Sequence, residues 1–173
     1  RKVMTVTEID QGGSVPELKV TTDSPLPILI IDGEELLGAK QNRVVNTSIL
    51  LREKGDTIIP VSCTEAGRWS YASPTFSSSD VVMSRKARMK KSSSVSYSLK
   101  HSATHTSNQG EVWNDIADLS AKACAESPTS AMKDVFDQRE NDLNEAMKRF
   151  KPVVGQMGLL VQIDGEVVGF DLI

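Results

Sequence analysis

The sequence predicts an α+β fold: an antiparallel β-sheet or sandwich system from the N-terminal third plus a C-terminal β-hairpin, packed with two or three amphipathic helices. Three observations predict it. Residues 1–65 are a series of short β-branched runs separated by turn residues, residues 108–150 carry apolar side chains at helical spacing, and Asp164-Gly165 stands between two apolar runs. With 173 residues and a formal net charge of -3, the chain is long enough to bury a core as a single domain without a disulfide or metal staple.

The strand-like runs are residues 3–7, 18–22, 28–31, 49–51 and 57–63, and between them lie Gly12-Gly13, Asp23-Ser24-Pro25, Asp32-Gly33 and Lys54-Gly55-Asp56. Parallel pairing needs a long crossover after each strand, and no helical pattern interrupts this region, so the pairing is antiparallel. Residues 66–107 read as a basic, Ser-rich connector that allows one helix. In it Val82, Met89, Val95 and Leu99 share a side opposite Arg85, Lys86, Arg88, Lys90 and Lys91, although interior serines are poor helix formers. Two firmer helices follow in 108–150. The first has Val112, Trp113, Ile116, Leu119 and Ala123 as its stripe, Asn108 as N-cap and Glu111 at the capping-box position. The second opens at Ser127-Pro128 and runs to about Phe150, with Met132, Val135, Phe136, Leu143, Met147 and Phe150 as its stripe. In 156–173, Asp164-Gly165 suits a type I′ turn; a simple register puts Leu159, Val161 and Ile163 on one face with Phe170, Val168 and Glu166, ready to close the sheet. Ile-Asp-Gly-Glu occurs at 31–34 and again at 163–166, which repeated hairpin chemistry explains as well as a duplication does.

The charge is unevenly spread: residues 1–65 carry a net -3, residues 66–107 a net +6 and residues 108–173 a net -6. The basic block therefore reads as a partner for the acidic helices, and lacking interleaved aromatics it makes a poor nucleic-acid surface. Only Cys63 and Cys124 are present, no apolar run is long enough to span a membrane, and no leader pattern opens the chain at Arg1, so a cytoplasmic location is expected. Phosphate-binding loops, dinucleotide fingerprints and nucleophile elbows are missing from the sequence. His101 and His105 have the i, i+4 spacing of a metal pair, but no third Cys or His stands near them; no metal site is expected, and no cofactor is indicated.

Two polar clusters could carry chemistry. Residues 32–48 concentrate three carboxylates with Lys40, Gln41, Asn42, Arg43 and Asn46. There Lys40 and Arg43 suit a phosphate or carboxylate, and Glu34 or Glu35 an acid or base; the other reading is a solvated hairpin tip. Residues 60–69 place Cys63, Glu65, Arg68 and Trp69 together. Cys63 is either a nucleophile or a buried structural thiol, and no histidine stands nearby to activate it. Arg68 and Trp69 are either a stacking platform or an Arg68–Glu65 pair beside a core-edge indole.

Both clusters carry a family resemblance. Residues 30–48, Ile-Ile-Asp-Gly-Glu-Glu-Leu-Leu-Gly-Ala-Lys-Gln-Asn-Arg-Val-Val-Asn-Thr-Ser, and residues 59–69, Ile-Pro-Val-Ser-Cys-Thr-Glu-Ala-Gly-Arg-Trp, resemble the two signature blocks of the ARG and rhodanese-phosphatase-superfamily-associated protein domain. The start of the 109–113 helix and the closing Gly-Glu-Val-Val-Gly-Phe-Asp-Leu also fit. The family is prokaryotic and of undetermined activity, named for its association with ADP-ribosylglycohydrolases and rhodanese or phosphatase proteins. The resemblance thus implies a role near ADP-ribose, NAD or phosphate-ester chemistry, and leaves room for a further strand ahead of Arg1. Glu35, Glu65 and Cys63 are the expected catalytic candidates. Lys40, Gln41, Asn42, Arg43, Asn46, Arg68 and Trp69 are the expected contacts of a nucleotide or ADP-ribose-like ligand, in a pocket where the two blocks meet. The alternative is a noncatalytic module whose signature blocks form a buried network and whose surface recruits an enzyme or a second copy as a homodimer.

Overall fold

The computed structural model describes residues 3–172, and its backbone forms two compact units, Arg1–Gln138 and Arg139–Ile173. In the first unit β1 (Met4–Thr7), β2 (Glu17–Thr22), β4 (Glu34–Gly38), β5 (Arg43–Val45), β7 (Gly55–Cys63) and β8 (Phe76–Val82) close into a barrel in the order β1-β2-β7-β5-β4-β8, with every pairing antiparallel. Strands β3 (Ile28–Ile30) and β6 (Ile49–Leu51) pair separately. The α+β class holds, but the sheet curls onto itself instead of stacking as a sandwich. Closure removes the open edges that a six-stranded sheet would otherwise expose.

Alternation along the strands fills the barrel with Val6, Leu18, Val20, Leu36, Val45, Ile59, Val61 and Phe76. A second core lies outside the wall, where Val44 and Met83 meet Ala87 of α1 (Arg85–Ser102), Val112 and Ile116 of α2 (Gln109–Ala123), and Met132 of α3 (Met132–Gln138).

Three barrel strands escape a hydrophobic pattern. β4 and β5 lie in the polar signature, where Glu35 and Arg43 occupy buried positions that pattern reading assigns to a turn. β8 lies in the serine-rich segment read as a connector. Its serines serve a bulge opposite β4: Asp80 has φ +57°, and the hydroxyls of Ser78 and Ser79 accept the backbone N–H groups of Asp80 and Val81.

Helix α1 forms, but it buries Ala87, Lys91 and Val95, while Met89, Leu99 and the preceding Val82 are exposed. The i, i+4 stripe that decides its orientation runs through a lysine. Helix α2 starts as expected, with Asn108 Oδ1 accepting the Glu111 N–H at 3.3 Å, although Trp113 faces outward. The expected 127–150 helix is two. Ser130 takes φ +54° and Ala131 bridges to Glu65, so α3 begins only at Met132, and α4 (Glu140–Arg149) follows a break at Arg139.

The second unit holds α4 and a hairpin of β9 (Gly158–Ile163) and β10 (Glu166–Leu172), which form a two-stranded sheet of their own and do not complete the barrel. Asp164 and Gly165 both have positive φ, as a type I′ turn requires. A register shift between Val167 and Gly169 changes the expected faces: Phe170 stands opposite Leu160, not on the face of Leu159. The other copy of Ile-Asp-Gly-Glu makes a turn as well, yet it joins β3 to β4, which do not pair.

Candidate functional site

Strand register decides which signature residues can meet. Arg43 pairs with Leu36, whose side chain lies inside the barrel, and Glu35 pairs with Val44, whose side chain faces the helices. Glu35 and Arg43 therefore point to opposite sides of the wall. Cys63 pairs with Arg43 and shares its side; Ser62 pairs with Val44.

The two signature blocks do come together, through Arg68. Its Nε and Nη2 grip the Glu65 carboxylate at 2.9 and 2.6 Å. Nη1 donates to the carbonyls of Ala39 and Ser70 at 2.7 and 2.8 Å, and Nη2 also reaches Asn42 Oδ1 at 3.2 Å. Glu65 in turn accepts the backbone N–H of Asn42 and the hydroxyl of Thr129. Burial alone would raise the Glu65 pKa, but the hydrogen bonds from Arg68, Thr129 and Asn42 outweigh it and hold the carboxyl below its ordinary value. Two glycines make this junction possible. A Cβ on Gly67 would lie 2.9 Å from Thr129 Cα, and Gly38, at φ +123°, leaves no room for one beside Ser73.

Arg43 is 0% exposed inside the barrel end. Nη1 donates to Gln41 Oε1 at 2.9 Å and Nη2 stands 3.9 Å from Glu8 Oε1, while Nε and Nη2 make no hydrogen bond. Trp69, 49% exposed, lies over it with Lys40: the Arg43 guanidinium is 5.6 Å and the Lys40 ammonium 5.3 Å from the indole. Lys40 also approaches the Tyr71 ring and donates to the Gly12 carbonyl. Burial pushes the Cys63 thiol pKa up and the charge of Arg43 offsets only part of that, so the neutral thiol is the favoured form.

On the outer face, Glu35 accepts the Thr64 hydroxyl at 2.7 Å and its second oxygen has no hydrogen-bond partner. Burial pushes its pKa up to about 7, against the pull of Thr64, Ser79 and Lys133. Asn46 accepts the Ser62 hydroxyl at 2.6 Å and donates to the His105 carbonyl at 3.0 Å, tying the wall to the loop before α2. His105 lies beyond the end of α1, which stops at Ser102, so it shares no helical face with His101.

Sequence reasoning missed several members of this network. Gln109 exchanges hydrogen bonds with both backbone groups of Cys63, extending the β7 ladder onto the start of α2. Buried Lys91 donates to the carbonyls of Val45 and Asn46 and pairs with Asp32. The spacing of Ala87, Lys91 and Val95 was the available signal for it. The basic block meets the acidic helices where Lys90 of α1 pairs with Asp115 of α2. Among the described residues no helix is long and apolar enough to cross a membrane.

Comparison with known proteins agrees with the signature blocks. No curated protein and no solved structure matches the chain. The family model described as ARG and Rhodanese-Phosphatase-superfamily-associated Protein domain, a name that records association with other proteins, matches residues 1–173. The barrel, its Arg68–Glu65 junction and the helices laid against it are thus the structure of a signature-bearing domain, and the chain belongs to the ARG and Rhodanese-Phosphatase-superfamily-associated Protein domain family.

Proposed function

We propose that the chain is a noncatalytic interaction module whose signature residues hold barrel, loops and helices together, and whose partners are the protein classes in the family's name. The observation that carries this reading is the saturation of Arg68: all five of its donors have acceptors within the protein, leaving none for a phosphate. Glu65, Asn42 and Asn46 are likewise buried and bonded. Of the expected catalytic set, Glu35 and Cys63 lie on opposite sides of the wall. A cytoplasmic setting fits the two free thiols.

A thermal-shift panel of NAD, ADP-ribose and nucleoside phosphates tests this reading. The module reading expects no shift at millimolar ligand, together with co-sedimentation with an ADP-ribosylglycohydrolase or a rhodanese-phosphatase. A ligand at 100 times its Kd would add about 2.7 kcal/mol, and a stabilisation of that size would overturn it.

One observation favours the ligand reading. Half-exposed Trp69 lies over Arg43, two of whose nitrogens have no hydrogen bond, with Lys40 and Tyr71 alongside. That reading expects a shift with ADP-ribose that disappears in Trp69→Ala.

A further inference from the structure

We infer that Arg139–Ile173 is a self-association element that pairs, about a two-fold axis, with the same segment of a second copy of this chain. Taken by itself this unit has almost no core. Helix α4 buries no residue, and its Leu143, Met147 and Phe150, at i, i+4 and i+7, are all exposed. The hairpin is apolar on both faces, with Leu159, Val161 and Ile163 on one and Leu160, Phe170 and Leu172 on the other, all exposed. A lone two-stranded hairpin is marginal in water, and exposed apolar faces of this kind mark an interaction site.

Charge placement selects the partner. Helix α4 carries Glu140 and Asp142 in its first turn, Glu145 at its middle and Lys148 and Arg149 in its last turn. Antiparallel packing of two such helices sets the acidic half of each against the basic half of the other, whereas parallel packing sets like against like. A two-fold axis perpendicular to the helices gives the antiparallel choice and makes one surface its own complement. The strands point the same way. Among the described residues each pairs only with the other, so both outer edges are open. The β9 edge, Gly-Leu-Leu-Val-Gln-Ile, carries no charge, while β10 carries Glu166 and Asp171. Charges guard an edge, so β9 is the strand built to pair with its own copy, giving a four-stranded antiparallel sheet. This inference does not depend on the interaction-module reading of the first unit.

The test is the oligomeric state of the full chain by sedimentation velocity, with two charge-reversed variants. The wild-type chain is expected to be a concentration-dependent dimer. Glu140→Lys with Asp142→Lys, and separately Lys148→Glu with Arg149→Glu, should each raise the dimer dissociation constant at least tenfold. An equimolar mixture of the two variants should restore dimers, because a helix basic at both ends then meets one acidic at both ends. These side chains are exposed, so circular dichroism should show unchanged folding. A wild-type chain that stays monomeric to about 100 µM, variants that dimerise as well as wild type, or a mixture that stays monomeric would each overturn the inference.

Discussion

At the level of single residues, Glu65 and Glu35 show how one fold moves two carboxylates in opposite directions. Glu65 is held below its ordinary pKa, so its contribution to stability is present above the usual carboxylate range and is lost as pH falls through the depressed value. Glu35, raised to about 7, behaves the other way: what it contributes is complete below about 4.5 and is lost as pH rises through about 7. Glu35→Gln should therefore gain stability over wild type at pH 8, on the order of 3 kcal/mol, and little or none at pH 4. Urea unfolding at the two pH values measures this, and an equal effect at both would refute it. The identity of the Arg68–Glu65 pair was legible in the sequence from three-residue spacing beside a glycine. The opposite facing of Glu35 and Arg43 was not, because it depends on the residues lying in paired strands, and the polar run conceals those strands.

For the elements, the lesson is that polar anchors place what apolar stripes do not. Helix α1 has few buried apolar side chains, and Lys91 fixes it to the barrel through Asp32 and two carbonyls. Lys91→Met leaves those three acceptors without their donor, at a cost of about 2–4 kcal/mol. Amide exchange should accelerate across 85–102 while β2 and β7 stay protected. Gly67→Ala tests the junction between the loop after β7 and the turn before α3. The added Cβ meets Thr129 backbone and the Gly67 N–H bond to the Thr129 carbonyl must lengthen, so a loss of about 1–3 kcal/mol is expected by thermal denaturation. Unchanged stability would show that the 127–130 turn yields freely. The β-branched strands β1, β2 and β7 and the capped α2 were readable because local pattern and final environment agree. β4, β5 and β8 were not, since their buried residues include Glu35, Arg43 and Ser79. The late start of α3 was hidden too, because Ser130 takes a left-handed φ just ahead of an apolar stripe that runs unbroken across the gap at Arg139.

For the whole molecule, a net charge of -3 hides the division that organises it. Lys90 and Lys91 of the basic block are paired, one with acidic α2 and the other with the barrel loop. On the interaction-module reading, the family signature is dense in polar residues because those residues join strands, loops and helices. That is the central claim, and a double-mutant cycle on Arg68 and Glu65 tests it most directly. Arg68→Met, Glu65→Gln and the double variant are unfolded in denaturant. The account predicts that each single change costs about 3 kcal/mol and that the two are coupled by about 2 kcal/mol or more. Single variants within about 0.5 kcal/mol of wild type with no coupling would contradict it.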